Sequence, residues 1–233
     1  MYSLLALFDS PALTACPTGD GWLTHWQQWL AQHNSAELAA MHWAESDGDS
    51  QQAQRWQRTA RPPATQARLL LTSEDKSALE RLAALLAAQL YEGCGLYLCR
   101  YYQPLSEQQR IGERAAGTLQ LCSFNALPEL TAQQFQQRWL QAHTPIAIAT
   151  QSTSHYRQHL VHTTLLGDAV DAIVEEQFPA AAADSPQHFF NAAGNPEQLR
   201  RNMAAMQKSC AQFIDFNTLN VIHLSDWPIA AVN

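Results

Sequence analysis

Positive charge is scarce in this chain. Its 233 residues hold 14 Lys plus Arg against 21 Asp plus Glu, a formal net charge of −7. No basic block of five or more residues occurs, which excludes a nucleic-acid footprint. No apolar run approaches the roughly 20 residues a membrane span needs, so no membrane partner is expected. The five cysteines, Cys16, Cys94, Cys99, Cys122 and Cys210, form no CxxC pair and no short-spaced framework. That pattern points to a reducing compartment and buried thiols. GxSxG, Walker, Rossmann glycine and HExxH patterns are also missing. Nucleotide cofactors and serine-hydrolase chemistry are therefore disfavoured.

One N-terminal feature bears on location. Leu13-Thr14-Ala15-Cys16 resembles a lipoprotein cleavage box behind the apolar residues 4–8. No Lys or Arg precedes it, and Asp9 and Pro11 interrupt the apolar stretch. The segment reads better as a first strand, and the protein as cytoplasmic.

What the sequence does have is a repeat. Trp29-Leu30-x-x-His33 recurs as Trp139-Leu140-x-x-His143, 110 positions later, each on a segment with helical spacing. A recurring unit decides architecture before any single motif does. Around the first copy, residues 2–8 read as a strand, 21–33 as a helix and 36–45 as a second strand. Residues 46–66, with Pro62-Pro63, read as a long loop. Residues 67–71 resume as a strand, Thr72 and Asp75 make a capping-box pattern ahead of Leu79, Leu82 and Leu86, and 96–102 closes as a strand.

The order then restarts after a polar linker at 105–114. Residues 118–124 form a strand, and Thr131 with Gln134 a second capping box. The helix that follows carries Phe135, Trp139, His143 and Ile146, with a kink or restart expected at Pro145. Residues 156–163 and 170–178 pair around Gly167-Asp168. Ser185 before Pro186 and Asn195 before Pro196 start two helices. Residues 216–224 close as a strand ended by Pro228.

Both halves thus spell β-α-β-β-α-β, the ferredoxin-like unit. The expected fold is α+β: two such repeats, at 1–104 and 115–233, whose antiparallel sheets face each other in a pseudo-symmetric α/β barrel. A ligand cavity is expected at the seam, because one sheet face of each repeat needs cover. A homodimer is expected where an edge stays open.

The second half resembles the EthD family of the dimeric α/β-barrel superfamily. The likeness rests on Phe135, Trp139 and His143, then Pro145, then Tyr156-Arg157-Gln158-His159, with Pro196-Glu197 and Phe213-Ile214-Asp215 further on. The first half keeps Trp29, Leu30 and His33 but has Asn34 where Thr144 stands, and so resembles a degenerate copy. The resemblance implies cofactor-independent processing of small hydrophobic or aromatic molecules, as in polyketide cyclases, anthrone-type monooxygenases and muconolactone isomerases. Fold alone does not fix function.

His143 is the leading catalytic candidate, since partial burial holds an imidazole neutral near physiological pH. The structural alternative is a helix-end histidine, and His33 at the matching site speaks for it. Tyr156 is expected to position a substrate oxygen, with Trp139, Phe135, His159 and Asp215 as binding residues. Asp215 and Asp226 could each partner His143. His155 and His159 share one strand face and His162 the other, so no metal site is expected. The expected activity is cofactor-free acid/base chemistry on a small hydrophobic or aromatic, polyketide-like molecule. The rival is a non-catalytic barrel that binds small molecules, serves in stress, or mediates dimerisation.

Overall fold

The structure is a computed structural model. It describes residues 1–9, 21–33, 37–60, 64–90 and 94–231. The Leu13–Cys16 segment, Asn34 and Pro62-Pro63 lie outside them.

The first half comprises β1 (Tyr2–Phe8), α1 (Gly21–Gln32), β2 (Ala40–Glu45), a 3-10 turn (Ser50–Trp56), β3 (Ala67–Ser73), α2 (Lys76–Ala87) and β4 (Cys94–Leu105). The second comprises β5 (Thr118–Ala126), α3 (Ala132–Gln136), a π-helical stretch (Gln137–His143), α4 (Thr144–Thr150), β6 (His155–Leu166) and β7 (Ala172–Phe178). It ends with α5 (Ala180–Asp184), α6 (Pro186–Phe189), α7 (Pro196–Cys210) and β8 (Ile214–Ala231). No described helix is long and apolar enough to cross a membrane.

Eight antiparallel strands close into one barrel in the order β1-β3-β2-β8-β5-β7-β6-β4. Read by halves this is β4-β1-β3-β2 and β8-β5-β7-β6, the same order twice. The registers also correspond. Phe8 faces Ala67 and Tyr2 faces Ser73 in one half; Phe124 faces Ala172 and Thr118 faces Phe178 in the other. Strand composition follows from this closure. β1 and β3 are buried on both faces, and both are accordingly near-continuous apolar runs.

The two sheets do not face each other across an open seam: they join edge to edge, and among the described residues side chains fill most of the interior, leaving space at one mouth of the barrel. Leu5, Leu70, Leu119, Leu121, Ile173 and Leu224 form an apolar layer. Beyond it Arg68, Arg157, Glu175 and Asp226 form a polar layer, each at most 1% exposed. Eight strands enclose just enough room for such a filling. Closure also removes the open edge on which the homodimer expectation stood.

Several local expectations shift. Thr131 and Gln134 make the expected capping box, and Ser185 and Asn195 cap their helices. The Thr72/Asp75 box does not form: Thr72 stays in β3, and Asp75 alone caps α2 by accepting from the Ser77 N–H (2.8 Å). Pro228 does not end its strand. It sits inside β8 at a register shift against Met41/His42, the kind of irregularity that tolerates a residue without an N–H. Pro145 is accommodated by the π-helical stretch before it, where the Thr144 N–H donates to the Trp139 carbonyl. Gly167 takes φ +80°, and a Cβ there would lie 2.9 Å from the Gly95 Cα. The hairpin therefore needs glycine.

The two connecting segments are structural. Residues 46–60 reach onto the second half: Arg58 and Val221 exchange backbone hydrogen bonds, and the Trp56 indole donates to the Ala183 carbonyl (2.9 Å). Residues 106–117 cross the barrel mouth, where the N–H groups of Gly112 and Ala115 donate to the carbonyls of Pro228 and Asp226 (2.8 Å each).

Candidate active site

The outer faces of the two half-barrels are covered differently. In the first half Trp26, Trp29, Trp43, Phe8, Met41 and Leu71 pack as a continuous core beneath α1 and α2. In the second half the same face, beneath the π-helical stretch and α7, retains a cavity of about 420 Å³. Its walls are mainly apolar: Phe124, Trp139, Val174, Phe189, Phe190, Met206, Phe213 and Leu219.

Three polar strand residues enter this cavity. Tyr156 and Glu176 face each other across β6 and β7, and Gln120 pairs with Glu176 from β5. Glu176 is buried, and its Oε1 has no hydrogen-bond partner. Burial pushes its pKa up to about 8, so the carboxyl is largely protonated at neutral pH. Burial, and then the nearby Glu176 carboxylate, raise the Tyr156 phenol well above its ordinary value. Its oxygen accepts from Gln158 Nε2 (3.3 Å). The Cys122 and Cys210 thiols on the same wall are pushed up chiefly by burial, so neither is a ready nucleophile.

His143 lies on the cavity wall opposite the sheet. Its Nδ1 is 2.9 Å from Ser209 Oγ on α7, and its ring lies 4.9 Å from that of Phe213. Burial lowers its pKa to about 4, which keeps it neutral at physiological pH. The repeat partner behaves otherwise. His33 Nδ1 bonds the Trp29 carbonyl of its own helix (2.8 Å) and the ring stacks on Trp29 at 4.5 Å. One copy of the motif caps a helix end; the other joins two helices at a cavity.

The matching registers sharpen the contrast. Leu71 stands where Glu176 stands, Met41 where Tyr156 stands, and Leu4 where Gln120 stands. One framework accepts an all-apolar filling in the first half and carries a carboxyl, a phenol and an amide in the second. Burying a polar group without a partner costs about 1–3 kcal/mol.

One solved structure aligns along the whole chain. It is described as an anthrone oxidase-like protein, with a TM-score of 0.51, 11% identity, and coverage of 100% of this chain and 94% of that one. The fold is a ferredoxin-like α/β barrel. A chlorite dismutase-like protein aligns with a TM-score of 0.43 and 12% identity over 96% of this chain and 94% of its own. No protein-family model matches the chain, and no curated protein matches it. The EthD resemblance therefore rests on its motif residues alone.

The structure brings His143, Tyr156 and Trp139 to one cavity and leaves the other candidates elsewhere. Phe135 stacks on Trp139 in the core behind it (5.4 Å). His159 points into the barrel, fully buried, with Nδ1 2.8 Å from Ser3 Oγ. Asp215 caps a turn by accepting from the Asn217 N–H (3.0 Å), and Asp226 binds the arginines of the interior. Neither acid partners His143. No group of three or more metal-ligating side chains occurs among the described residues.

Sequence reasoning passed over Glu176. A signal was there: Glu175-Glu176-Gln177 interrupts an otherwise apolar strand all of whose residues are buried. Two successive acids on a two-sided strand must point to opposite faces.

Proposed function

We propose that the second-half cavity binds a small neutral aromatic or polyketide-like molecule, and that Glu176 exchanges a proton with it. The supporting observation is the buried Glu176 carboxyl in an apolar cavity, with no hydrogen-bond partner on Oε1, at a position where the first half carries Leu71. A carboxyl with a pKa near neutrality loses and regains its proton with little bias, the condition that favours general acid/base catalysis. Neutral His143 is a second proton acceptor and Tyr156 orients a substrate oxygen. The low polarity of the walls selects against charged ligands. The chemistry of this reading needs no cofactor. The anthrone in one relative's description is a ligand of this class. The same proposal takes the second half, 115–233, as EthD-like and the first, 1–104, as its degenerate duplicate, with 105–114 as the joint between them.

Proton exchange at the carbon next to the carbonyl of 2-tetralone, followed by NMR in D2O, tests the reading. Wild type is expected to accelerate exchange over buffer, and Glu176→Gln to lose about 10²-fold or more. Binding of the neutral probe N-phenyl-1-naphthylamine without any exchange would make the barrel a non-catalytic binder. Failure of both measurements overturns the proposal.

A further inference from the structure

We infer that the mouth of the barrel is a second binding site, for a small oxyanion, which enters by displacing the Gln109 side chain from Arg157. The site is separate from the cavity above. On β6, Tyr156 points to the helices while His155 and Arg157 point into the barrel, so the sheet stands between the two sites.

A space of about 290 Å³ opens at this end, lined by His42, Tyr101, Gln103, Gln109, His155 and Arg157. The two arms of the Arg157 guanidinium are used differently. Nη1 donates inward to Glu175 Oε2 (3.0 Å) and Asp226 Oδ2 (3.2 Å). Nη2 meets two neutral acceptors, His42 Nδ1 (3.2 Å) and Gln109 Oε1 (3.1 Å). Gln109 belongs to the partly exposed connection at 106–117, and its amide oxygen occupies the place a carboxylate or phosphate oxygen would take. An anionic oxygen adds charge–charge attraction to a guanidinium hydrogen bond that the neutral amide oxygen of Gln109 does not supply. Exchange of Gln109 for an oxyanion is therefore favourable at this atom.

Charge balance adds a condition. Arg68 and Arg157 cancel Glu175 and Asp226, joined by the Arg68–Glu175 pair and by Arg68 Nη2 to Asp226 Oδ1 (3.0 Å). An added anion leaves this layer one charge negative unless a proton comes with it. His42 is placed to take that proton at Nδ1, which then gives up the Arg157 Nη2 hydrogen bond to the incoming anion and turns as a donor to Asp226 Oδ2, 3.5 Å away. Around it stand Arg68 on β3, Tyr101 on β4, Glu107 on the connection, His155, Arg157 and His159 on β6, Glu175 on β7 and Asp226 on β8. The Met1 amino group is paired with Glu74. Burial, and next the charge of Arg157, hold His42 and His155 neutral; an anion against Arg157 offsets the second of these. Anion and proton thus bind together.

Titration calorimetry of the full chain with acetate and with dimethyl phosphate, each a monoanion across about pH 5.5 to 7.5, tests this. One anion is expected to bind, with Kd rising by up to about tenfold per pH unit toward the alkaline end. Binding of acetate alone would assign a carboxylate ligand and of dimethyl phosphate alone a phosphoryl one. Gln109→Ala, at a partly exposed site, is expected to tighten binding by about three- to tenfold because the internal competitor is gone. His42→Gln is expected to weaken it and flatten the pH dependence, with His155→Gln as the second variant should His42→Gln not fold. Absence of binding by either anion at about 20 mM, an unchanged Kd in Gln109→Ala, or binding indifferent to pH would each overturn the inference.

Discussion

Glu175 and Glu176 are neighbours in sequence and opposites in charge state. Glu175 points into the barrel, where the arginines Arg68 and Arg157 and the His159 ring outweigh its burial and hold it far below the usual carboxylate range. Glu176 points the other way, into an apolar cavity, and burial alone pushes it up to about 8. One pleat of a strand separates a fixed anion from a carboxyl that is mostly protonated at neutral pH and ionises just above it. The first stabilises the fold; the second is a cost to it.

That cost is measurable. Below about pH 4.5 both the folded and the unfolded chain keep Glu176 protonated, and nothing is lost. As pH rises toward about 8 the unfolded state ionises while the folded state largely does not, and stability falls by up to about 4–5 kcal/mol. Glu176→Gln is expected to remove this decline. Chemical denaturation at acid and at alkaline pH should show little difference from wild type at the first and a more stable variant at the second.

Histidines set the opposite limit. Burial lowers His143 and His223 to about 4 each. Below about pH 6.5 the unfolded chain takes up protons that these folded rings refuse, so stability drops as pH falls toward 4. The double variant His143→Gln, His223→Gln is expected to unfold less steeply with acid, read as melting temperature against pH. The full slope retained in the double variant would contradict the assignment.

The Arg68–Glu175 pair gives a third expectation. Removing either partner leaves a charge without its counter-ion in the barrel, and Arg68→Ile or Glu175→Leu is expected to cost about 3–5 kcal/mol. The matching positions in the opposite halves are Ile173 and Leu70, both apolar. The double variant keeps Arg157 and Asp226 balanced, so it should recover much of the summed loss. A double-mutant cycle by urea unfolding measures the coupling, and simple additivity would reject it.

Replacing Ser209 by Ala tests the second proton acceptor. The Ser209–His143 contact (2.9 Å) fixes the imidazole at the cavity wall. Its loss is expected to reduce exchange by about tenfold while costing only about 1 kcal/mol of stability. His143→Gln should lose more activity. An equal fall in melting temperature for both variants, with exchange intact, would make His143 a packing residue.

Much of the architecture was legible in the residues. The Trp-Leu-x-x-His repeat, the Thr131/Gln134 box and the Asn195-Pro196 start report on chain segments a few residues long, and local geometry satisfies them locally. The order of strands and helices follows from such signals, and the βαββαβ order in each half constrains the strand pairing. The element faces on which His143 and Tyr156 stand were legible for the same reason, since helical spacing and strand alternation fix them.

What each face meets is a different matter. Alternation separated Tyr156 from His159 but could not say which side held the cavity. The outcome depended on whether eight strands closed and how much volume their interior left. Closure filled most of the interior with leucines and an arginine–carboxylate layer, left the apolar cavity on the outer face of the sheet, and gave Asp226 to Arg68 and Arg157 instead of His143. The charge state of Glu176 was decided the same way. A carboxyl's pKa is set by the dielectric and the charges within a few ångströms, and those neighbours come from strands and helices far apart in the chain.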